Sequence, residues 1–385
     1  MEYKTIKELC DLVVDCPHST PTWTEHGKIV IRNYNIKNGR IDFTSPSFTD
    51  DEHFAQRIKR AVPKAGDIVI TREAPMGEVG MIPEGIKCCL GQRMVLLRAN
   101  ERICDKHYLL YGLQSQFVQH QISWSEGTGT TVSNLRIPHL EQIRVPYVPL
   151  DQQKKISSVL YALGDKIENN RKLNDNLEQQ AAALFSSLYN RSNTEVRYTD
   201  LIQILGGGTP KTGETAYWNG NIAFFTPKDV GTPYTFITEK TITEEGLSHC
   251  NSRLYPVNTV FVTARGTVGK VGLSGVPMAM NQSCYALVGK ETHQLLVYFY
   301  TLKVVDKLKH KASGAVFDAI TTRDFESEQI MKLSDDDARA FLCVAEPMFQ
   351  DILNNSIENL RLSTLRDFLL PKLMSGEIDV SNIQF

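Results

Sequence analysis

Between Asp151 and Tyr189 the inward-facing positions recur at alternating steps of four and three residues: Ile156, Leu160, Leu163, Ile167, Asn170, Asn174, Leu177, Ala181, Leu184 and Leu188. That spacing is the heptad seam of a helix that packs against another helix, interrupted at its centre by two asparagines. Moving 185 positions along the chain gives Phe341, Ala345, Met348, Ile352, Asn355, Asn359, Leu362, Arg366, Leu369 and Leu373, with asparagines at the same two places. Each helix, at some 35 to 40 residues, would be about 50 to 60 Å long. So long and narrow a stripe exceeds what one neighbouring domain covers. The spacing therefore predicts an intramolecular antiparallel coiled coil in which the paired asparagines set register; the alternative is that each seam packs on its own preceding domain. Pro149 marks a good entry for the first helix, whereas Pro347 predicts a kink or a late start for the second. Pro371 and Ser375-Gly376 mark the second helix's end.

The regions before these helices alternate short apolar runs with turn residues, and they too are duplicated. Thr71-Arg72-Glu73-Ala74-Pro75-Met76-Gly77-Glu78-Val79-Gly80 returns as Thr263-Ala264-Arg265-Gly266-Thr267-Val268-Gly269-Lys270-Val271-Gly272, an offset of 192. Leu90-Gly91-Gln92 answers Met280-Asn281-Gln282, and the stretch from Gly129 to Leu135 answers that from Gly314 to Ile320 at an offset of 185. Both members of the first pair follow strand-like runs, Asp67-Ile68-Val69-Ile70 and Val260-Phe261-Val262, and their glycines permit a tight turn before a second strand. A hairpin in each half is the economical reading. The chain thus divides into a first domain at 1-148, a central helical spacer at 149-190, a second domain at 191-333 and a distal helical spacer at 334-385.

Composition narrows the picture. The 385 residues are 42% hydrophobic, enough for more than one core, and 42 Lys+Arg against 44 Asp+Glu leave a formal charge of -2. Wrapping nucleic acid over the whole surface is thereby disfavoured, and any such contact must come from local basic patches. The eight cysteines show no C-x-x-C spacing and no histidine at ligand distance, so neither zinc nor a disulfide framework is indicated. They read as reduced thiols of a cytoplasmic protein. No stretch approaches the roughly 18 to 20 apolar residues of a spanning helix, so no membrane partner is expected.

Several segments together carry a resemblance. Gly206-Gly207-Gly208-Thr209-Pro210, Tyr217-Trp218 and Ile222-Ala223-Phe224-Phe225-Thr226-Pro227-Lys228-Asp229-Val230 look like the opening of a target-recognition domain. Asp15-Cys16-Pro17-His18-Ser19-Thr20-Pro21 with Ile31-Arg32-Asn33-Tyr34-Asn35-Ile36 looks like a second variant of it. Val148-Pro149-Leu150-Asp151-Gln152-Gln153 and Leu369-Leu370-Pro371-Lys372-Leu373-Met374-Ser375-Gly376-Glu377-Ile378 complete the set. In order, spacing and duplication the chain resembles, over nearly its whole length, the specificity subunits of type I restriction-modification systems. The second copy's helix entry, Leu333-Ser334-Asp335-Asp336-Asp337, departs from the usual Pro-Leu-acid-Gln form.

The resemblance implies an α+β protein: two target-recognition domains of mixed short strands and helices, separated by the family's two long conserved helices, which form an antiparallel intramolecular coiled coil and act as a ruler. It implies a monomeric, non-catalytic subunit that reads an asymmetric bipartite site on double-stranded DNA. Two modification subunits, adenine methyltransferases using S-adenosylmethionine, would seat on the helices, two similar docking surfaces related by a pseudo-twofold axis. Translocating restriction subunits would join them. S-adenosylmethionine, ATP and Mg would bind in partners, and this chain would bind none.

Catalytic motifs are lacking. Gly206 to Thr212 fails as a phosphate loop because Pro210 stands before Lys211 where glycine belongs, and no zinc pair, nucleophile elbow or adenine-holding Asn-Pro-Pro-aromatic string is present. Candidate DNA contacts are polar and charged groups on loops at corresponding places in both halves: Arg32, Asn33, Asn35, Arg72 and Glu73 in the first, and Thr209, Lys211, Lys228, Arg265 and Lys270 in the second. Thr128, Thr130 and Thr131 join them on a glycine-rich turn whose backbone N–H groups could approach phosphate. Any one exposed Arg or Lys is ordinarily just solvated. Trp23, Tyr34, Trp218, Phe224 and Phe225 could stack on bases, although aromatics in strand-like runs are usually core. For the helix pair the expected seam contacts are Ile156, Leu160, Leu163, Ile167, Asn170, Leu177 and Leu184 on one side and Ile352, Asn355, Leu362, Leu369 and Leu373 on the other.

Three rival readings remain at this point: a specificity subunit for a fused methylase-nuclease, a non-DNA coiled-coil scaffold, and an enzyme in its own right. Helices built to receive partners expose apolar area. The free chain is therefore expected to behave poorly on size-exclusion chromatography without its methyltransferase; a stable, monodisperse free chain would contradict this.

Overall fold

The computed structural model describes residues 2–37, 39–124, 134–231, 233–311 and 319–381. It divides into two compact units, one of residues 1–168 with 360–385 and the other of residues 169–359, so each unit takes a globular domain and part of both long helices.

The first unit is built on a sheet ordered Cys10–Asp15, Met94–Ala99, Ile68–Thr71, Val79–Met81, all antiparallel. Its central strands are apolar on both faces because both faces are covered. Ile68, Ile70, Val95 and Leu97 pack under the helices Lys106–Gln114 and Gln116–Ser123 through Leu109, Leu113, Val118 and Ile122. The alternate residues Val69, Met94 and Leu96 face a second, three-stranded sheet through Ile31 and Leu90. In that second sheet Lys28–Ile31 runs antiparallel to Ser47–Thr49 and parallel to Cys88–Leu90. A strand pair, Glu2–Thr5 with Arg144–Tyr147, joins the ends of the domain.

The second unit repeats the plan. Its main sheet is ordered Ile202–Gly206, Cys284–Gly289, Val260–Thr263, Val271–Ser274, with Tyr234–Thr235 added at the edge. Trp218–Phe225 lies antiparallel to Lys240–Ile242 and parallel to Met278–Met280, and Thr194–Arg197 pairs with Gln329–Lys332. The hairpins agree in register: Ile68 opposes Met81 and Val260 opposes Leu273.

The central helix spans Leu150–Arg191 and the distal helix Asp335–Met374. Of the kink or late start expected at Pro347, the late start does not occur: the distal helix begins at Asp335 and continues through Pro347. The carbonyl of Cys343, deprived of its helical donor by the proline, belongs to an exposed residue and can face water. The departure at Leu333–Asp337 has a physical account too, since Ser334 Oγ accepts from Asp337 N at 3.1 Å and caps the helix. The glutamine of the Pro-Leu-Asp-Gln-Gln entry is equally explicable. Gln153, fully buried, accepts from Asp105 N and donates to the carbonyls of Ile103 and Val148, tying the helix entry to its domain.

Within the first unit Ile156 and Leu160 cluster with Leu373 and Met374, with Leu369 partly buried beside them. Ile167 is buried and Leu163 half-buried, as is Leu362. Within the second unit the helices run antiparallel, for Asn170 meets Asn359, Asn174 meets Asn355, and Phe185 meets Phe341 edge-to-face at 5.5 Å. Asn170 Nδ2 donates to Glu358 Oε2 at 2.7 Å and Asn359 Oδ1 at 3.0 Å. Asn174 accepts from Asn355 Nδ2 at 2.9 Å and donates to Ser356 Oγ at 3.2 Å. Ile352 is fully buried, while Leu177 and Leu184 are partly so.

A buried amide pair costs little while both partners are present and much when one is removed. Asn174→Leu leaves Asn355 Nδ2 without its acceptor and is expected to cost about 1–3 kcal/mol. The double substitution Asn174→Leu/Asn355→Leu should recover most of that loss. Urea midpoints check the order, single below wild type and double close to wild type or above.

Candidate nucleic-acid interface

The elements that carry the candidate residues meet at one end of each domain: a turn leaving the inner strand of the second sheet, and the loop of the main-sheet hairpin. In the first unit the turn is Arg32 to Asn35. The Asn35 side chain, 5% exposed, accepts from Arg32 N at 2.9 Å and donates to Asp42 O at 3.0 Å. In the second unit the same turn is Thr226 to Asp229, where Asp229 Oδ2 accepts from Thr226 N at 2.8 Å. The preceding carbonyls make matching bonds, Ile31 O from Gly91 N and Phe225 O from Asn281 N.

Each hairpin loop is closed by a buried threonine. Thr71 Oγ1 donates to Pro75 O at 2.6 Å and accepts from Glu78 N at 3.0 Å. Thr263 Oγ1 donates to Thr267 O and accepts from Lys270 N at 2.9 Å. Gly77 and Gly269 sit in these loops at φ of +85° and +75°, conformations that favour glycine. The residue after each threonine is held alike: Arg72 N donates to Arg93 O and Arg72 O accepts from Leu135 N, while Ala264 N donates to Ser283 O and Ala264 O accepts from Ile320 N.

On this common frame the candidate residues separate into two groups. Arg72 and Asn35 are frame. The Arg72 guanidinium makes an ion pair with Asp15 at 3.0 Å, both side chains nearly buried, and donates further to Leu135 O and Asn134 Oδ1. The sequence placed both residues among the DNA contacts because it shows donors but not the partners that already occupy them. Asn33 Nδ2 donates to Glu73 O at 2.6 Å, tying turn to loop, and Glu73 pairs with Arg93 at 3.2 Å. Thr209 is bonded to Gln282.

Arg32, Lys211, Lys228, Arg265 and Lys270 are exposed. Lys228 has an ion-pair partner, Glu239 at 3.6 Å, and both of those side chains lie in solvent. Such exposed pairs contribute little. Thr128, Thr130 and Thr131, like the turn at Ser313-Gly314, lie outside the described residues.

The aromatic candidates divide as well. Phe224 and Phe225 are core, and Trp218 packs edge-on against Phe224 at 5.5 Å with its Nε1 donating to Lys211 O. Trp23 and Tyr34, by contrast, are 43% and 57% exposed. Sequence reasoning missed Arg93, a non-glycine residue at φ +62° that reaches the acid of the hairpin loop. It also missed Arg57, buried at 7% exposure, whose guanidinium gathers the carbonyls of Pro17, Ser19, Leu90 and Gly91 and so shapes the rim beside the turn. No local pattern announces either, since their partners lie tens of residues away.

Among the described residues no three or more His, Cys, Asp or Glu could hold a metal. Burial pushes the thiols of Cys88, Cys104 and Cys284 up to about 12 and that of Cys89 to about 11. At neutral pH these cysteines are protonated and unsuited to nucleophilic work. No helix among the described residues is long and apolar enough to cross a membrane.

A duplicated α+β frame that carries exposed cations at the end of each domain, with exposed aromatics at the first, is the architecture of a two-domain recognition protein. The family described as type I restriction modification DNA specificity domain matches residues 1–179 and 190–332, and the chain belongs to that family, as a specificity subunit. It is 23% identical over 351 residues to the specificity subunit of the type I restriction enzyme MjaIX from Methanocaldococcus jannaschii, covering 84% of this chain and 80% of that one. It is 28% identical over 186 residues to that of HindI from Haemophilus influenzae, covering 47% and 40%. Among solved structures, the type I restriction-modification S subunit from M. genitalium has a similar fold, with a TM-score of 0.60 at 17% identity across 97% of this chain and 95% of that one.

Frame and surface respond differently to truncation. Arg72→Ala leaves the nearly buried Asp15 carboxylate with the exposed His18 ring, 2.9 Å away, in place of the arginine and should cost about 1–3 kcal/mol, whereas Arg265→Ala should stay within about 0.5 kcal/mol of wild type. Thermal melting of the two variants side by side checks the distinction.

Proposed function

We propose that this subunit reads the two unlike halves of a split duplex site, one with each domain, and brings partner subunits to it for adenine methylation or cleavage. The observation that carries the proposal is the contrast between shared backbone and unshared side chains. Equivalent positions hold Arg32 and Thr226, Tyr34 and Lys228, Glu73 and Arg265, Glu78 and Lys270, so one frame presents different donors and opposite charges. Two readers of the same half-sequence would have no reason to differ in this way, since base-edge recognition depends on the donor and acceptor pattern offered.

Catalysis in this reading belongs to the partners, which bind S-adenosylmethionine, ATP and Mg2+, while this chain binds no cofactor and acts in the cytoplasm where the DNA is. Exposed apolar residues on the long helices, Tyr161 and Leu173 on the central one and Val344, Leu365 and Phe368 on the distal one, suit them to receive two modification subunits, with restriction subunits joining afterwards. The helices also serve as the spacer between half-sites.

The test is duplex binding by the chain assembled with its modification subunit, titrated against salt. The assembly should bind with a steep fall of log K against log salt, and Arg265→Ala together with Lys211→Ala should lower that slope by about 2 if both contact phosphate. Salt-insensitive binding, or binding equal to that of the modification subunit alone, would favour a protein-assembly scaffold and overturn the proposal.

A further inference from the structure

Most arginines around the reading end of the first domain are occupied. Arg72 is paired with Asp15, Arg93 with Glu73, and Arg57 is enclosed by backbone carbonyls. Arg32 is different. Among the described residues its guanidinium has no hydrogen-bond or ion-pair partner, and it lies instead over two ring faces, 4.8 Å from the Trp23 centroid and 4.7 Å from that of Tyr34. Both rings are themselves exposed, so the arrangement is not a core contact. Tyr34 is fixed by its hydroxyl, 3.0 Å from Ser47 Oγ, and the Arg32 backbone is fixed by the Asn35 cap.

Stacking against a ring engages the face of a guanidinium and leaves its in-plane N–H donors free. An arginine held this way is oriented before it meets a ligand and loses less side-chain entropy on binding. The free fork matches a pair of acceptors, which duplex DNA offers as the O6 and N7 of guanine or as two phosphate oxygens. The second domain discriminates between them. The sugar-phosphate backbone is chemically the same at both half-sites, so a phosphate-holding position has reason to keep its charge, yet the position equivalent to Arg32 is Thr226, half-buried and uncharged. A position that changes chemistry while its backbone frame stays constant behaves as a reader.

We infer that Arg32, oriented by Trp23 and Tyr34, specifies a guanine in the half-site bound by the first domain through a bidentate contact to O6 and N7. The inference rests on the DNA-reading role proposed above. Trp23 and Tyr34 are positioning residues in it.

The test is selection of a randomised duplex pool by the chain assembled with its modification subunit, followed by sequencing, for wild type and for Arg32→Gln. Arg32 is exposed, so the substitution leaves the fold intact, and glutamine exchanges the guanine fork for one that suits adenine. The wild-type motif should contain a guanine that the variant selects about 5- to 150-fold less strongly, with the other half-site unchanged. Trp23→Ala should weaken the same position and no other, while Trp23→Phe, which keeps a ring face, should weaken it less. An unaltered motif, or uniformly weaker binding with a salt slope reduced by about 1, would assign Arg32 to solvent or phosphate and overturn the inference. A wild-type selection that returns no motif would instead overturn the DNA-reading role on which it rests.

Discussion

The reading end of each domain depends on one buried hydroxyl. Thr71 and Thr263 are fully inaccessible to solvent, and each closes its hairpin loop by donating to a carbonyl four residues on and accepting from the N–H seven residues on. Buried backbone groups must be paired, and here the threonine pairs two of them from within the strand. The loop's outward residues are thereby released from holding the loop together. Position 265 can carry a cation where position 73 carries an acid paired with Arg93, because in each loop the threonine hydroxyl makes the closing bonds.

The same separation of duties holds for the adjoining turn, where Asn35 and Asp229 cap the backbone and Arg32, Tyr34 and Lys228 face outward. It also explains why the main-sheet hairpins agree in register while the surfaces differ. The central strands are enclosed on both faces, so a change at Val69 or Phe261 is felt by two layers, whereas a change at Arg265 meets only solvent. Along the helices a polar layer of Asn170, Asn174, Asn355 and Asn359 satisfies its own amides and so favours one register over its neighbours.

What could be read in the sequence was whatever repeats locally. The seam residues Ile156, Leu160 and Ile167 were legible because helical periodicity is written into consecutive positions, and the hairpins because an apolar run, a glycine turn and a second run follow one another. The division of the arginines was not legible. Arg72 and Arg265 look alike as letters on a loop, and only the fold brings Asp15 to one and leaves the other in solvent. The exposure of Trp23 and Tyr34 was hidden for a similar reason, since both lie near strand-forming sequence, and only the loop path shows that they flank Arg32 rather than fill the core. Pro347 did not delay the distal helix, because the carbonyl it leaves without a helical donor belongs to an exposed turn.

In the proposed function one constant frame, used twice, carries two different reading surfaces. Single-molecule sequencing of adenine methylation in a host expressing this chain with its cognate methyltransferase, against a host expressing the methyltransferase alone, tests it most directly. The expected result is a motif of two unlike halves separated by a fixed gap, present only when both proteins are made. A palindromic, uninterrupted motif would contradict the two unlike surfaces, and a motif independent of this chain would contradict the reading role itself.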